Sequence, residues 1–312
     1  MVQGGKVIGM SPKMNRRWYF LLLVVACIMF AGQGTAIKFL SWQLRPILVT
    51  FLPYYTGTIL LIPLLIRARR ANSSNKISGS DWVRFVVAGL GQVIAQFSFV
   101  SGITRSLVSN ASILGLLSPV VTALMASLML RERITRLRII ALLIGLLGVL
   151  FLSTDSLRQS TFLSMKYLTG NILVLVSVAA CAFYNVYCKS LFGRFQQVEI
   201  VALTAITASI LSLPLVLWVN PFHLDVFRSF TVHSWIAFGY QGVIAYCVAM
   251  LIFFTALKHL EVTVASVSLY LNPVFGVIIA ALLLHERLSG LALCGSVIVF
   301  LSTLLIMKYD QP

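Results

Sequence analysis

The sequence predicts an all-α integral membrane protein of ten transmembrane helices in two inverted five-helix repeats. Three observations carry that prediction. The first is composition: of 312 residues, 59% are hydrophobic and only 10% charged, against about 25% charged in an average soluble protein. Mean hydropathy is +0.97, which excludes two soluble domains of about 150 residues each. The second is the presence of ten apolar runs, each close to the roughly 20 residues that a spanning helix needs. The third is that part of the second half repeats the first.

The runs lie at about 18–38, 46–66, 82–103, 107–130, 137–153, 168–188, 198–219, 234–257, 262–284 and 289–307. They are too long for barrel strands and lack period-two alternation. Helices also satisfy their own backbone hydrogen bonds, as lipid requires. The chain then divides into a tail (1–17), a first five-helix repeat (18–153), a linker (154–167), a second repeat (168–307) and a short tail (308–312). Arg16-Arg17 before an apolar stretch, with Val24-Val25-Ala26-Cys27, weakly resembles a cleaved leader. The apolar run continues past Cys27, so an uncleaved first span is the expectation.

Charge supplies orientation. The chain has 24 Lys+Arg against 8 Asp+Glu, a net charge of +16. With the N-terminus inside, 17 basic residues fall on cytoplasmic segments and 7 on the outside. Cytoplasmic loops are basic in this way, so the expectation is a multi-pass protein of a bacterial cytoplasmic (inner) membrane with both termini in the cytoplasm. The excess charge therefore has an owner, and a nucleic-acid partner loses its motivation. Cys27, Cys181, Cys188, Cys247 and Cys294 all lie within apolar runs and form no C-x-x-C pair. They are expected to be small packing residues, with no metal site and no cofactor.

A shift of 154 residues lays Leu117-Ser118-Pro119-Val120 on Leu271-Asn272-Pro273-Val274 and Arg131-Glu132-Arg133 on His285-Glu286-Arg287. Ala111-Ser112 falls on Ala265-Ser266, and 11 of the 26 positions from 108 to 133 are identical to their partners. Lys38 corresponds roughly to Lys189. A unit of five spans is odd, so the second copy enters the membrane upside down. Inverted repeats are a recurrent architecture of secondary transporters.

The pattern L-S-P-V…L-R-E-R in the first half and L-N-P-V…L-H-E-R in the second resembles the EamA-type domain of the drug/metabolite transporter superfamily. Ala182-Phe183-Tyr184-Asn185-Val186 followed by Lys189 resembles the start of that family's second domain. The resemblance covers nearly the whole chain. It implies a secondary transporter with a central cavity formed by spans 1–4 and 6–9, with spans 5 and 10 as packing support. Many such proteins export amino acids, metabolites or drugs. The chain departs from the family pattern twice. Phe30-Ala31-Gly32-Gln33-Gly34 stands where Trp-Gly is common, and Phe51-Leu52-Pro53-Tyr54-Tyr55 where an early Arg is common.

Candidate residues follow from the cost of polar groups in lipid. No carboxylate falls at mid-span, so a buried acidic proton relay has no candidate. The expected substrate surface is Gln33, Tyr54, Tyr55, Gln92, Gln96, Tyr184, Asn185, Gln241, Tyr246, Tyr270 and Asn272. Amides and phenols bind a zwitterion or a hydroxylated solute while rings cover its apolar parts. The alternative role of such residues is interhelical hydrogen bonding. Pro119 and Pro273, each preceded by a polar residue (Ser118, Asn272), are expected to free the carbonyls of Gly115 and Leu269 and to kink their spans for gating or packing. Lys38, Lys189, Glu132 and Glu286 are candidate charged contacts, the lysines for substrate or for the interface, the glutamates as local ion pairs or gates. Trp18, Tyr19, Trp42, Trp82, Trp218 and Trp235 are expected interface anchors.

The function expected from these readings is export of small organic solutes by alternating access. A lipid-linked carrier or flippase subunit is the alternative, and a homodimer is open. An enzyme is not expected: there is no H-E-x-x-H, since His285-Glu286 is followed by Arg287-Leu288-Ser289, and no nucleophile–base set lies within the spans.

Overall fold

A computed structural model describes residues 16–71, 76–106, 110, 114–153, 165–219, 224–284 and 290–309. Among them the chain is helical, with no strand. In order the helices are α1 (Arg16–Ala31), α2 (Gln33–Ser41), α3 (Pro46–Ala71), α4 (Gly79–Arg105), α5 (Ser118–Leu130), α6 (Arg136–Leu152), α7 (Met165–Leu191) and α8 (Gln197–Val219). A 3₁₀ turn (Leu224–Ser229) leads to α9 (Val232–Gly239), a π-helical segment (Tyr240–Ala249), α10 (Met250–His259), α11 (Val262–Ser268), α12 (Leu271–Leu284) and α13 (Gly290–Tyr309). Among the described residues, six continuous runs are long and apolar enough to cross a membrane, α1–α2 and α9–π–α10 each counting as one, and three shorter helices are also apolar.

The helices start and stop where the sequence signals it. Ser78 and Asp81 form a capping box at the N-terminus of α4, which satisfies two otherwise orphaned donors. Thr135 and Thr231 accept from the backbone at the starts of α6 and α9. Arg69 and Arg70 close the last turn of α3, where cations favour the dipole.

The bundle has two chemically distinct ends. The end marked by Arg16 collects the ionic groups. Tyr19 of α1 stacks on His259 at the end of α10, ring centroids 4.3 Å apart. Arg194 meets Asp81 at 2.8 Å and Arg69 meets Glu199 at 2.8 Å, while Arg138 pairs with Glu261. The end marked by Trp42 collects aromatic rings: Phe39 against Trp42 and His233, and Phe227, Phe230, Trp235 and Phe238 against one another.

Lipid offers little hydrophobic drive between helices, so close backbone approach has to supply it. α6 lies along α13, and α4 along α7. A Cβ on Gly295 would stand 2.5 Å from the Gly148 carbonyl oxygen, and one on Gly148 would stand 2.9 Å from that of Gly295. Hydroxyls reach across to neighbouring backbones: Ser177 to Ala95 at 2.8 Å, Thr207 to Phe85 at 2.9 Å and Ser302 to Ala141 at 2.6 Å. Such bonds contribute about 0.6 kcal/mol each.

Gly295→Ala is therefore expected to lower stability by about 1–3 kcal/mol, the usual cost of overpacking. Gly290→Ala, where an added Cβ meets nothing within 4 Å, is expected to leave thermal unfolding in detergent unchanged or slightly raised.

Candidate functional site

A cavity of about 350 Å³ opens inside the bundle, at the small end of the roughly 300–1,000 Å³ range of small-molecule sites. Its wall takes Phe30 and Gln33 from either side of the α1–α2 break, Gln96 from α4, and Gly115, Leu116, Ser118 and Pro119 around the start of α5. The second half of the chain contributes Cys181 and Asn185 from α7, Ala245 and Tyr246 from the π segment, and Met250 and Phe253 from α10. Leu269, Tyr270, Asn272 and Pro273 complete it at the α11–α12 junction. None of these residues carries a charge. Asn185 donates to the Cys181 sulfur at 3.8 Å, and Tyr246 donates to Gln96 Oε1 at 3.4 Å. Asn272 Oδ1 and the Tyr270 hydroxyl are buried atoms with no hydrogen-bond partner.

Among the described residues, the irregular stretches at Gly32, Leu116–Leu117, Tyr240–Ala249 and Leu269–Tyr270 border the cavity. α1 stops at Gly32, where the Tyr240 hydroxyl donates to the Met29 carbonyl at 2.6 Å. A Cβ on Gly32 would collide with that same ring, so glycine is what admits Tyr240. α11 and α12 are separated by tight turns, with Tyr270 N–H on Val267 O at 3.1 Å and Asn272 N–H on Leu269 O at 3.0 Å. The Leu269 carbonyl is thus taken by Asn272. It is not left free by Pro273, as the sequence led us to expect. The carbonyl left over is that of Ser268, and the Cys27 thiol donates to it at 3.2 Å.

The expected mid-span proline kinks are likewise corrected. Ser118 is the first residue of α5 and Pro119 sits in its first turn. There the missing N–H costs nothing and the fixed φ suits a helix start. Pro273 holds the corresponding place near the start of α12. These are helix interruptions, not bends in continuous helices.

The cavity brings together Gln33, Gln96, Ser118, Pro119, Asn185, Tyr246, Tyr270, Asn272 and Pro273 of the candidates. The others lie elsewhere. Tyr54 is buried edge-on against Tyr246, centroids 5.1 Å apart. Tyr55 shares a hydrogen bond with Ser212 at 3.0 Å, and Tyr184 one with Thr204 at 3.1 Å. Gln92 is buried one turn from Gln96. Gln241 is fully buried in the π segment, and its amide oxygen and nitrogen have no partner. Such a group costs about 1–3 kcal/mol.

The charged candidates touch helix ends. Lys189 Nζ donates to the carbonyls of Leu257, Lys258 and Leu260 at 2.6, 3.2 and 2.7 Å. An ammonium has three donors, so none remains for a solute in this conformation. Glu132 is not in a local ion pair with Arg133. It accepts from the backbone N–H of Val262 at 2.9 Å and of Thr263 at 3.2 Å, and from the Thr263 hydroxyl at 3.0 Å. Lys38 lies in α2, its side chain outside what is described, and Glu286 lies outside the described residues.

Sequence reading missed the apolar wall: Phe30, Leu116, Cys181, Met250 and Phe253 give no signal in a chain this hydrophobic. It also missed the pairs Arg69–Glu199, Asp81–Arg194 and Arg138–Glu261. Only the Ser78-x-x-Asp81 spacing could have flagged one member.

The comparisons with known proteins agree with this architecture. The profile of the EamA-like transporter family matches residues 17–154 and again 168–308. An uncharacterized transporter of Archaeoglobus fulgidus is 26% identical over 94% of this chain and 99% of its own. The S-adenosylmethionine uptake transporter of Rickettsia prowazekii is 23% identical, covering 94% and 92%. The pseudopaline exporter of Pseudomonas aeruginosa is 24% identical, covering 92% and 95%. A solved crystal structure superposes with a TM-score of 0.75 at 16% identity, covering 93% of this chain and 97% of that one, which is a likeness of fold.

If the cavity is water-filled, a water-soluble maleimide added to proteoliposomes should label Cys181. Cys27 and Cys188, which are fully buried, should stay unmodified in peptide mass spectrometry, as should Cys294, exposed on the apolar outside of α13. Two profile matches in tandem, an all-helical membrane bundle and an uncharged internal cavity lead to one conclusion: the chain belongs to the EamA-like transporter family and is a secondary transporter of small organic solutes, not an enzyme.

Proposed function

We propose that this transporter exports a net-neutral, hydrogen-bonding solute of about amino-acid size by alternating access. The observation that carries this reading is the cavity wall, in which no lining residue is charged. Moving an unpaired ion into such a site is expensive, whereas amides and phenols offset the loss of water around a dipolar solute. A zwitterion or a hydroxylated metabolite fits, with Gln33, Gln96, Asn185 and Asn272 as hydrogen-bonding groups and Phe30, Tyr246 and Phe253 covering apolar parts. Two relatives of similar distance carry opposite directions in their names, uptake and export. Export is therefore a reading for this chain alone, based on its resemblance to EamA-type exporters.

The same proposal includes ten spans in two inverted five-span halves. Its support is the tandem profile match together with the 154-residue repeat, whose odd span number demands inversion. Each half then supplies a matching interrupted span to the cavity, at Leu116–Leu117 and at Leu269–Tyr270, as expected where discontinuous helices build a midplane site. Our reading puts the Arg16 end on the cytoplasmic side of a bacterial inner membrane, and the basic bias supports the cytoplasmic side.

The test is flux of radiolabelled neutral amino acids, with a cationic drug and a dicarboxylate as comparators, in proteoliposomes with and without a pH gradient. The neutral set is expected to move faster than either charged comparator. The double variant Gln96→Ala, Asn272→Ala should lower that flux about tenfold, the equivalent of one or two lost hydrogen bonds at about 0.5–1.5 kcal/mol each. Unchanged flux would remove the cavity assignment.

A further inference from the structure

We propose that Lys189 and Glu132 are positioning residues of the transport cycle: together they clamp the α10–α11 junction and close the cavity from the Arg16 end. The inference rests on the alternating-access reading above. Its starting point is that one short junction receives a cation on one side and an anion on the other. Lys189, from α7, binds the carbonyls of Leu257 and Lys258 in the last turn of α10 and that of Leu260 just beyond it. Glu132, from the α5–α6 linker, binds the first two N–H groups of α11 and the Thr263 hydroxyl. A helix C-terminus carries partial negative charge and an N-terminus partial positive charge. Each side chain therefore meets the end that its charge favours, through charge-assisted hydrogen bonds.

The backbone around Glu132 is held in an unfavourable shape to allow this. Arg131 has φ 57°, the one non-glycine with positive φ among the described residues. That conformation costs an L-residue about 1–2 kcal/mol and persists only where surrounding contacts over-determine it. The left-handed turn ends α5 and sends Glu132 towards α11. Arg138 fastens the same junction, bonding the Arg133 carbonyl at 2.9 Å and pairing with Glu261.

The clamp governs the cavity because of what it holds. α10 carries Met250 and Phe253, and the α11–α12 junction carries Leu269, Tyr270 and Asn272. α5 carries Ser118 and Pro119, and α7 carries Cys181 and Asn185. Lys189 and Glu132 thus tie two walls of the cavity to the other two, at one end. Access from that end requires α10 and α11 to move away from α7 and α5, which breaks these bonds. Both side chains are only partly buried, so water replaces the lost partners as the contact opens. A buried, dry ion pair would lack that exchange and would not release readily.

The experiment measures accessibility of the natural Cys181 on the cavity wall. Full-length protein is reconstituted in one orientation, a membrane-impermeant maleimide is applied to the Arg16 face, and modification of Cys181 is followed by mass spectrometry. Lys189→Met and Glu132→Gln are each expected to raise the labelling rate several-fold over wild type, while Lys189→Arg, which keeps a multivalent cation at the carbonyls, stays near it. Wild-type labelling rates in both neutral variants, with monodisperse elution showing that they are folded, would overturn the clamp. Should neither variant fold, Thr263→Ala removes one of the three bonds to Glu132: a faster rate supports the clamp and an unchanged rate overturns it. The readout needs no solute, so a failed flux screen would count against the solute class and leave this result standing.

Discussion

Everything in this molecule follows from the shortage of hydrogen-bond partners in lipid. A backbone N–H or C=O at membrane depth has to be bonded within its helix, to another protein group or to water in a cavity. Six long apolar runs obey the rule by staying helical. The departures, at Gly32, Leu116–Leu117, Tyr240–Ala249 and Leu269–Tyr270, all abut the one cavity described above. Where a carbonyl is released away from the cavity, a side chain reaches for it. Tyr240 crosses from the π segment to Met29, and Cys27 crosses from α1 to Ser268. Those two bonds join α1 to the π segment and to the end of α11. The break in α1 and the shape of the cavity are therefore one structural event.

The same scarcity sorts the charges. Asp81, Glu132, Glu199 and Glu261, the carboxylates whose side chains are described, all lie at the Arg16 end. Each has a guanidinium or helix N-terminal N–H groups as partner. Asp81 and Glu199 are fully buried, which a carboxylate tolerates only when paired. The opposite end relies on aromatic packing, whose rings tolerate the membrane interface.

Fold class was legible in the sequence because composition and run length depend on the solvent alone. Boundaries were less so. The run expected at 46–66 continues as helix to Ala71, because Arg67, Arg69 and Arg70 are good helix formers that simply leave the lipid. The break at Gly32 was hidden because a glycine within an apolar run gives no local sign of the Tyr240 ring that fills it. Side-chain direction was the hardest part. Tyr184 and Asn185 are adjacent, yet helical geometry points one at Thr204 and the other into the cavity. In a soluble helix an apolar stripe would reveal which face looks inward. Here the lipid-facing surface is as apolar as the core, so that phase is absent and only the polar residues hint at it.

In the proposed cycle, binding and gating fall to different chemistry. Amides and rings in the cavity interact weakly and adapt to a solute that must also leave, so a charged contact there would trap it. Ions at the Arg16 end interact strongly but beside water, where release is compensated. Lys189 shows why the division matters. As an isolated cation at a span end it reads as a substrate contact or an interface anchor, but three carbonyls already occupy its donors. Recruiting it to a solute would require giving up the α10 terminus and with it the closure of that end. A lysine serving both roles would couple occupancy to opening of the wrong gate. On the proposed reading the neutral cavity avoids this, because a solute held by Asn272 and Gln96 leaves the ionic contacts at the Arg16 end untouched.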